Sequence, residues 1–194
     1  MDAAANRTSA VGSPPDPRMT RTRRAPAPRR QSTPLVVRAA TPDDLDTVVS
    51  LRLLLIAEER RSPLFARPRR NLAARVRALT ARQLAATTEA TFLATAGSTG
   101  IGLLRVTTSQ GPRVMHPARY GFLTSAYVAA THRRKGILRQ LLCAAEGWCR
   151  DQGLSEIRLH CTVENVEGNL AWQALGYADV EVVRRRVLSS TGGT

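Results

Sequence analysis

The residues best suited to chemistry lie between Ala126 and Leu138. Tyr127-Val128 closes a β-rich run, Thr131-His132-Arg133-Arg134-Lys135 follows, and Gly136-Ile137-Leu138 opens a helical pattern. A strand ending at Val128 and a helix beginning near Gly136 would aim the loop amides and the first helical amides at one point. Those helical amides lack partners within the helix, and the helix dipole adds partial positive charge, so the arrangement suits an anion. Gly136 lets the backbone approach a phosphate with no Cβ in the way. Arg133, Arg134 and Lys135 add charge and donors, and His132 sits beside them. A diphosphate cradle is one reading and a solvated basic turn is the other; these residues alone support both equally.

The stretch Arg133-x-x-Gly136-x-Leu138 resembles the acyl-CoA-binding motif of the GNAT superfamily of N-acetyltransferases, Arg/Gln-x-x-Gly-x-Gly/Ala, with Leu138 departing at the third position. Downstream, Val163 to Tyr177 resembles that family's Asn-x-x-Ala-x-x-x-Tyr-x-x-x-Gly-Phe segment, with Asn165 at the Asn position, Gly168 for Ala, Trp172 for Tyr and Tyr177 for Phe. The two matches come in the family's order and separation, and the resemblance covers about Val36 to Val187. It implies an α+β fold of GNAT type, a central, mostly antiparallel sheet flanked by helices. It also implies acetyl-CoA, or another acyl-CoA, as cosubstrate. By the same resemblance, the backbone of the loop His132 to Leu138 holds the diphosphate. The strand end at Tyr127 and Val128 pairs with the pantetheine arm, and Asn165 and Trp172 lie near that arm. The activity implied is acyl transfer to an unidentified amine by direct attack on the thioester, in a monomer or homodimer.

Two departures bear on mechanism. The family's tyrosine acid is Trp172 here, and an indole N–H donates a hydrogen bond but is no general acid at neutral pH. The family's glutamate on the fourth strand also has no counterpart, because Tyr120 to Tyr127 holds no carboxylate. Glu164, just past the fifth strand, is the expected substitute base, with a solvated loop acid as the plainer alternative. A CoA-binding module without efficient catalysis is therefore a rival to an enzyme.

The elements that must position these residues follow from periodicity. Leu35 to Arg38 reads as a strand. Thr41-Pro42-Asp43-Asp44 reads as a helix start, with Thr41 as cap and the aspartates at the positive end of the dipole. Leu45, Val48, Val49, Leu53 and Ile56 recur at helical spacing up to about Glu59, and a second helix is expected from Asn71 to about Thr88. Thr91–Ala96 and Ile101–Thr107 flank Gly97-Ser98-Thr99-Gly100 as a hairpin. A strand is expected over Tyr120–Val128, then a helix to about Gln152 whose apolar face is Leu138, Leu141, Leu142, Ala145, Trp148 and Cys149. A strand at Ile157–Cys161, a short helix at Gly168–Leu175 and a last strand at Val180–Val187 complete the order.

Composition sets the frame. The chain has 194 residues, 43% of them apolar, enough for one domain over residues 35–188. Residues 1–34 are rich in Ala, Pro, Ser, Thr and Arg and read as a disordered tail; residues 189–194 read as a flexible end. Arg23-Arg24 has no apolar stretch behind it, so an export signal is not expected, and no run is long and apolar enough to suggest a membrane span. Cys143, Cys149 and Cys161 show neither disulfide nor zinc spacing and point to a reducing compartment, the cytoplasm. The net charge is +14, yet Lys135 is the only lysine and aromatic residues are 4%. An arginine-rich coding bias with a solvated surface explains that charge better than a nucleic-acid partner bound through the tail.

Overall fold

The computed structural model describes residues 34–188. The expectations for residues 1–33 and 189–194 lie outside the described residues. The elements are β1 (Leu35–Ala39), α1 (Leu45–Glu58), α2 (Leu72–Leu84), β2 (Glu89–Ala96), β3 (Thr99–Gln110), β4 (Arg119–Val128), α3 (Ile137–Asp151), β5 (Ile157–Leu159) and α4 (Val166–Ala174). Five strands form one sheet in the order β1-β2-β3-β4-β5. Every neighbouring pair is antiparallel except β4 and β5, which are parallel. No helix among the described residues is long and apolar enough to cross a membrane.

Adjacent residues of a strand face opposite sides of the sheet, and the two sides bury different helices. Phe92, Ala94, Leu104 and Val106 pack with Ile137, Leu141, Leu142, Ala145 and Cys149 of α3 and with Trp172 of α4. Leu93, Leu103 and Tyr127 pack with Val48 and Leu51 of α1. The amphipathic pattern expected of α3 thus meets the sheet as read. The start of α1 differs in detail. A 3-10 turn at Pro42–Asp44 precedes it, and Asp44, gripped by both terminal nitrogens of Arg38 at 2.7 Å, accepts the Thr41 amide at 2.8 Å. The carboxylate therefore receives the amide, and Thr41 donates its hydroxyl to it.

Three boundaries depart from expectation. Helix α2 ends at Leu84 rather than near Thr88, because Glu89 already pairs with Thr107 at the start of β2. Strand β5 stops at Leu159 rather than Cys161, since its ladder with β4 ends there. The expected strand Val180–Val187 is absent: residues 178–188 form no regular element, and Val180 and Val182 are 86% and 70% exposed. A strand needs a neighbour to accept its backbone hydrogen bonds, and among the described residues no strand pairs with this segment.

The closed end of the β4–β5 pair is set by a close approach. The Gly121 amide donates to Glu156 at 2.9 Å, and a Cβ on Gly121 would lie 2.6 Å from Sγ of Cys149. Burial pushes the Cys149 thiol up to about 11, as suits a packing group rather than a nucleophile. Gly121→Ala is expected to cost about 1–3 kcal/mol through overpacking, and Cys149→Ala in the same chain to recover much of it. Denaturant unfolding of both single variants and the double variant checks this.

Candidate functional site

Parallel pairing of β4 with β5 runs through Gly121–Ile157, Phe122–Arg158 and Leu123–Leu159 and then ceases. On its other side β4 carries one extra residue: Leu103 faces Tyr127, while Arg105 faces Thr124. Ser125 sits in this bulge with a φ of 52°. Such an insertion breaks the ladder and turns the strand. The two strands part, and a cavity of about 320 Å³ opens between Thr124–Ala126 on one side and Leu159–Thr162 on the other. Arg52, Leu55, Ile56, Glu59 and Phe65 close it on the side of α1, and Asn165 and Trp172 on the side of α4. The parting therefore lies nearer the middle of β4 than its end at Val128.

The loop between β4 and α3 takes the form expected of an anion cradle. A 3-10 turn spans Ala130–His132, Arg134 has a φ of 60°, and Gly136, the residue before α3, has a φ of 76°. No side chain caps α3. The amides of Ile137, Leu138 and Arg139 find no acceptor among the described residues, and the first bond is Gln140 N–H to Gly136 at 3.1 Å. A Cβ at Gly136 would meet nothing within 4 Å, so the space beside the backbone is open. Leu138, the departure from the motif, packs toward the core on the α3 side of the sheet.

The basic side chains of this loop are spent differently from expectation. Arg133 donates from Nε to the Val128 carbonyl at 3.0 Å, pairs through Nη2 with Glu58, and lies 3.7 Å from Glu167. It staples the loop to the end of α1 and the start of α4. Lys135 donates to the Thr131 carbonyl at 2.9 Å, and His132 contacts the Thr131 hydroxyl at 3.0 Å. Arg134 is exposed and has no ion-pair partner among the described residues.

Asn165 holds the opposite wall. Its Oδ1 accepts the Gly168 amide at 2.8 Å, capping α4, and its Nδ2 donates to Oε1 of Glu59 at 2.8 Å. The Thr162 hydroxyl donates to the other oxygen of Glu59 at 3.0 Å. Glu59 is thus the carboxylate fixed at the cavity wall. Glu164 is exposed and lines a neighbouring outer groove with Glu58, Glu167 and Arg60. Trp172 is buried and stands edge-on to Tyr177 with ring centres 5.3 Å apart. Burial pushes the Tyr177 hydroxyl up to about 12, with Glu146 and Cys149 adding to it. Tyr127 lies in the core under α1, so its part in any ligand contact is its backbone; burial raises its hydroxyl, and Glu58 adds to the shift.

Glu59 and Arg52 are the wall residues that local sequence patterns did not single out. Their signal was present, since Arg52, Leu55, Ile56 and Glu59 recur at helical spacing. What they face, however, comes from segments 28 to 106 residues away.

Comparison with known proteins agrees with this geometry. The profile described as "Acetyltransferase (GNAT) family" matches residues 55–177. An aminoglycoside N(6')-acetyltransferase type 1 of Stenotrophomonas maltophilia is 36% identical over 63 residues, which make up 32% of this chain and 41% of that relative. The match therefore spans less than half of the relative's length. A crystal structure of a predicted acetyltransferase with acetyl-CoA from Clostridium acetobutylicum superposes with a TM-score of 0.67 at 17% identity, covering 79% of this chain and 96% of that one. An aminoglycoside N-acetyltransferase in complex with CoA gives 0.69 at 21% identity, covering 82% and 97%. At such identities the two structures establish the fold. The profile covers both the cradle loop and the wall that Asn165 and Trp172 complete, and on that match the chain belongs to the GNAT acetyltransferase family.

Proposed function

We propose that this protein transfers an acetyl group from acetyl-CoA to an amine. The observation that carries the reading is the parting of β4 from β5 between an uncapped helix start at one end and the fixed carboxylate of Glu59 at the other. The residues fit the cosubstrate. The free amides of Ile137, Leu138 and Arg139 and the open space at Gly136 suit a diphosphate, with Arg134 as its unpaired cation. The edge of β4 past Leu123 has no partner in β5 and suits the amides of a pantetheine arm. Support also comes from the solved neighbours that hold acetyl-CoA or CoA.

Bound acetyl-CoA supplies an acyl group activated as a thioester. The protein's own part is to align an amine, take its proton and exclude competing water. An alkylammonium has a pKa near 10.4 and must lose a proton before it attacks. Glu59 is the base in this reading, either directly or through one water. The hydrogen bonds from Thr162 and Asn165 fix its orientation. No side-chain acid is needed at Trp172, because a thiol of pKa ~8.5 is a tolerable leaving group at neutral pH. Trp172 instead closes the cavity beside α4 with a buried apolar ring.

Gly136→Asn keeps a residue type that tolerates positive φ but puts a side chain into the cradle. Titration calorimetry is expected to show acetyl-CoA affinity at least ~10-fold weaker, with circular dichroism unchanged; equal affinity would remove the loop from the site. Glu59→Gln is expected to lower kcat by roughly 100-fold, in the range of lost general-base catalysis, while acetyl-CoA affinity stays as it was. Glu164→Gln separates the two carboxylates. A larger loss there than at Glu59 would move the base to the outer groove.

A further inference from the structure

Arg52 lies midway along α1 and lines the cavity. Its Nη1 donates to the Thr80 hydroxyl at 2.9 Å and to Oε1 of Gln83 at 2.6 Å, both neutral groups of α2. Among the described residues no carboxylate pairs with it. A second guanidinium, Arg105, lies on the same side, but it is matched by Glu89. Burial is the main effect that lowers the pKa of Arg52, Arg105 lowers it further, and the nearby Glu89 carboxylate partly offsets both. A partly desolvated cation with no carboxylate in direct contact is unfavourable by itself and is relieved by an anion that reaches it.

Two hydroxyls, those of Thr124 and Ser125, line the same cavity. Arg105 donates from Nη1 to the Thr124 hydroxyl at 2.7 Å, which leaves the hydroxyl hydrogen free to point elsewhere. No fully buried side-chain nitrogen or oxygen among the described residues lacks a partner, so the remaining N–H groups of Arg52, a residue that lines the cavity, are not sealed in protein. Further along the same wall, both oxygens of Glu59 are held in place by Thr162 and Asn165. Arg52 and Glu59 are seven residues apart on one helical face, about 10 Å along the axis.

We infer that the acceptor carries a carboxylate as well as its amine. Arg52, with Thr124 and Ser125, receives the carboxylate, and the amine lies toward Glu59. The substrate class is an amino acid or peptide-like compound with its amine several bonds from the carboxylate. A polycation would set an ammonium against Arg52. The inference rests on the acetyl-transfer reading above and names the acceptor of that same site.

The test pairs ω-amino acids (4-aminobutyrate, 6-aminohexanoate) with the alkylamines of equal length, and adds kanamycin, all with the full chain and saturating acetyl-CoA. The expected result is a kcat/KM at least tenfold higher for each amino acid than for its alkylamine, carried by KM. In Arg52→Gln that ratio is expected to collapse toward unity, and in Arg52→Lys to survive in part. Ratios near one in the unaltered chain, preference for kanamycin, or an equal loss on every acceptor in Arg52→Gln would each overturn the inference. A binding arm does not depend on turnover. Saturation-transfer NMR of the CoA-loaded chain is expected to show hexanoate bound and hexylamine not, with hexanoate lost in Arg52→Gln. Absence of hexanoate binding overturns the inference even where acetyl transfer proceeds. Failure to bind acetyl-CoA would instead strike the transfer reading itself.

Discussion

The structure turns on a ladder that stops. Parallel strands normally continue as long as their residues allow, because each further pair satisfies two backbone groups that are costly to leave unmet. Here β4 and β5 keep only three registers before the bulge at Ser125 carries β4 away. Two facing strand edges are then left with free amides and carbonyls. The protein answers part of this debt with side chains. Asn169 donates to the Thr162 and Asn165 carbonyls at 2.9 Å each, and Arg133 caps the Val128 carbonyl at 3.0 Å. The edges that remain flank the cavity, and in the proposed function they would hold an extended, amide-bearing ligand without any particular side chain.

That view also accounts for the cations. A loop reading His132-Arg133-Arg134-Lys135 in a chain of net charge +14 invites the idea of a positive patch. Two of the three long cations are instead turned inward, Arg133 to Glu58 and Glu167 and Lys135 to a carbonyl of its own loop. Their work is to hold the loop in a shape with positive φ at Arg134 and Gly136, which converges the helix amides on one point. Backbone dipoles then supply most of the attraction for an anion, and they do so with little reorganisation.

How much of this was readable in the chain depends on the range of the interaction. Helix α3 was clear because Leu138, Leu141, Leu142, Ala145 and Cys149 repeat on one face and Gly153 follows its end. The hairpin of β2 and β3 was clear because Gly97 and Gly100 mark the turn. The strand–loop–helix form of the cradle was legible since all its parts lie within thirteen consecutive residues. Glu59 was not, because its partners Thr162 and Asn165 are more than a hundred residues away. Residues 180–187 mislead for the opposite reason. Their valines have the local character of a strand, but strand formation is a property of a pair, and the run Arg184-Arg185-Arg186 offers no apolar face to dock.

The two halves of the site are therefore built by different rules. In the proposed site the diphosphate half is local, made of one loop and one helix start, and Leu138, the departure from the motif, packs toward the core rather than into the cradle. The proposed acceptor side is written on α1 and the residue that follows it, where Arg52, Leu55, Ile56 and Glu59 line the cavity and α2 props Arg52 through Thr80 and Gln83. A change of side chain on that one helical face alters charge and reach at the acceptor without touching the amides that bind the diphosphate. Identity to aminoglycoside N(6')-acetyltransferases can then persist in the shared part of the fold even where the acceptor differs. Under the proposed carboxylate-bearing acceptor, the sign of the charge at Arg52, more than overall likeness, would decide which amines enter.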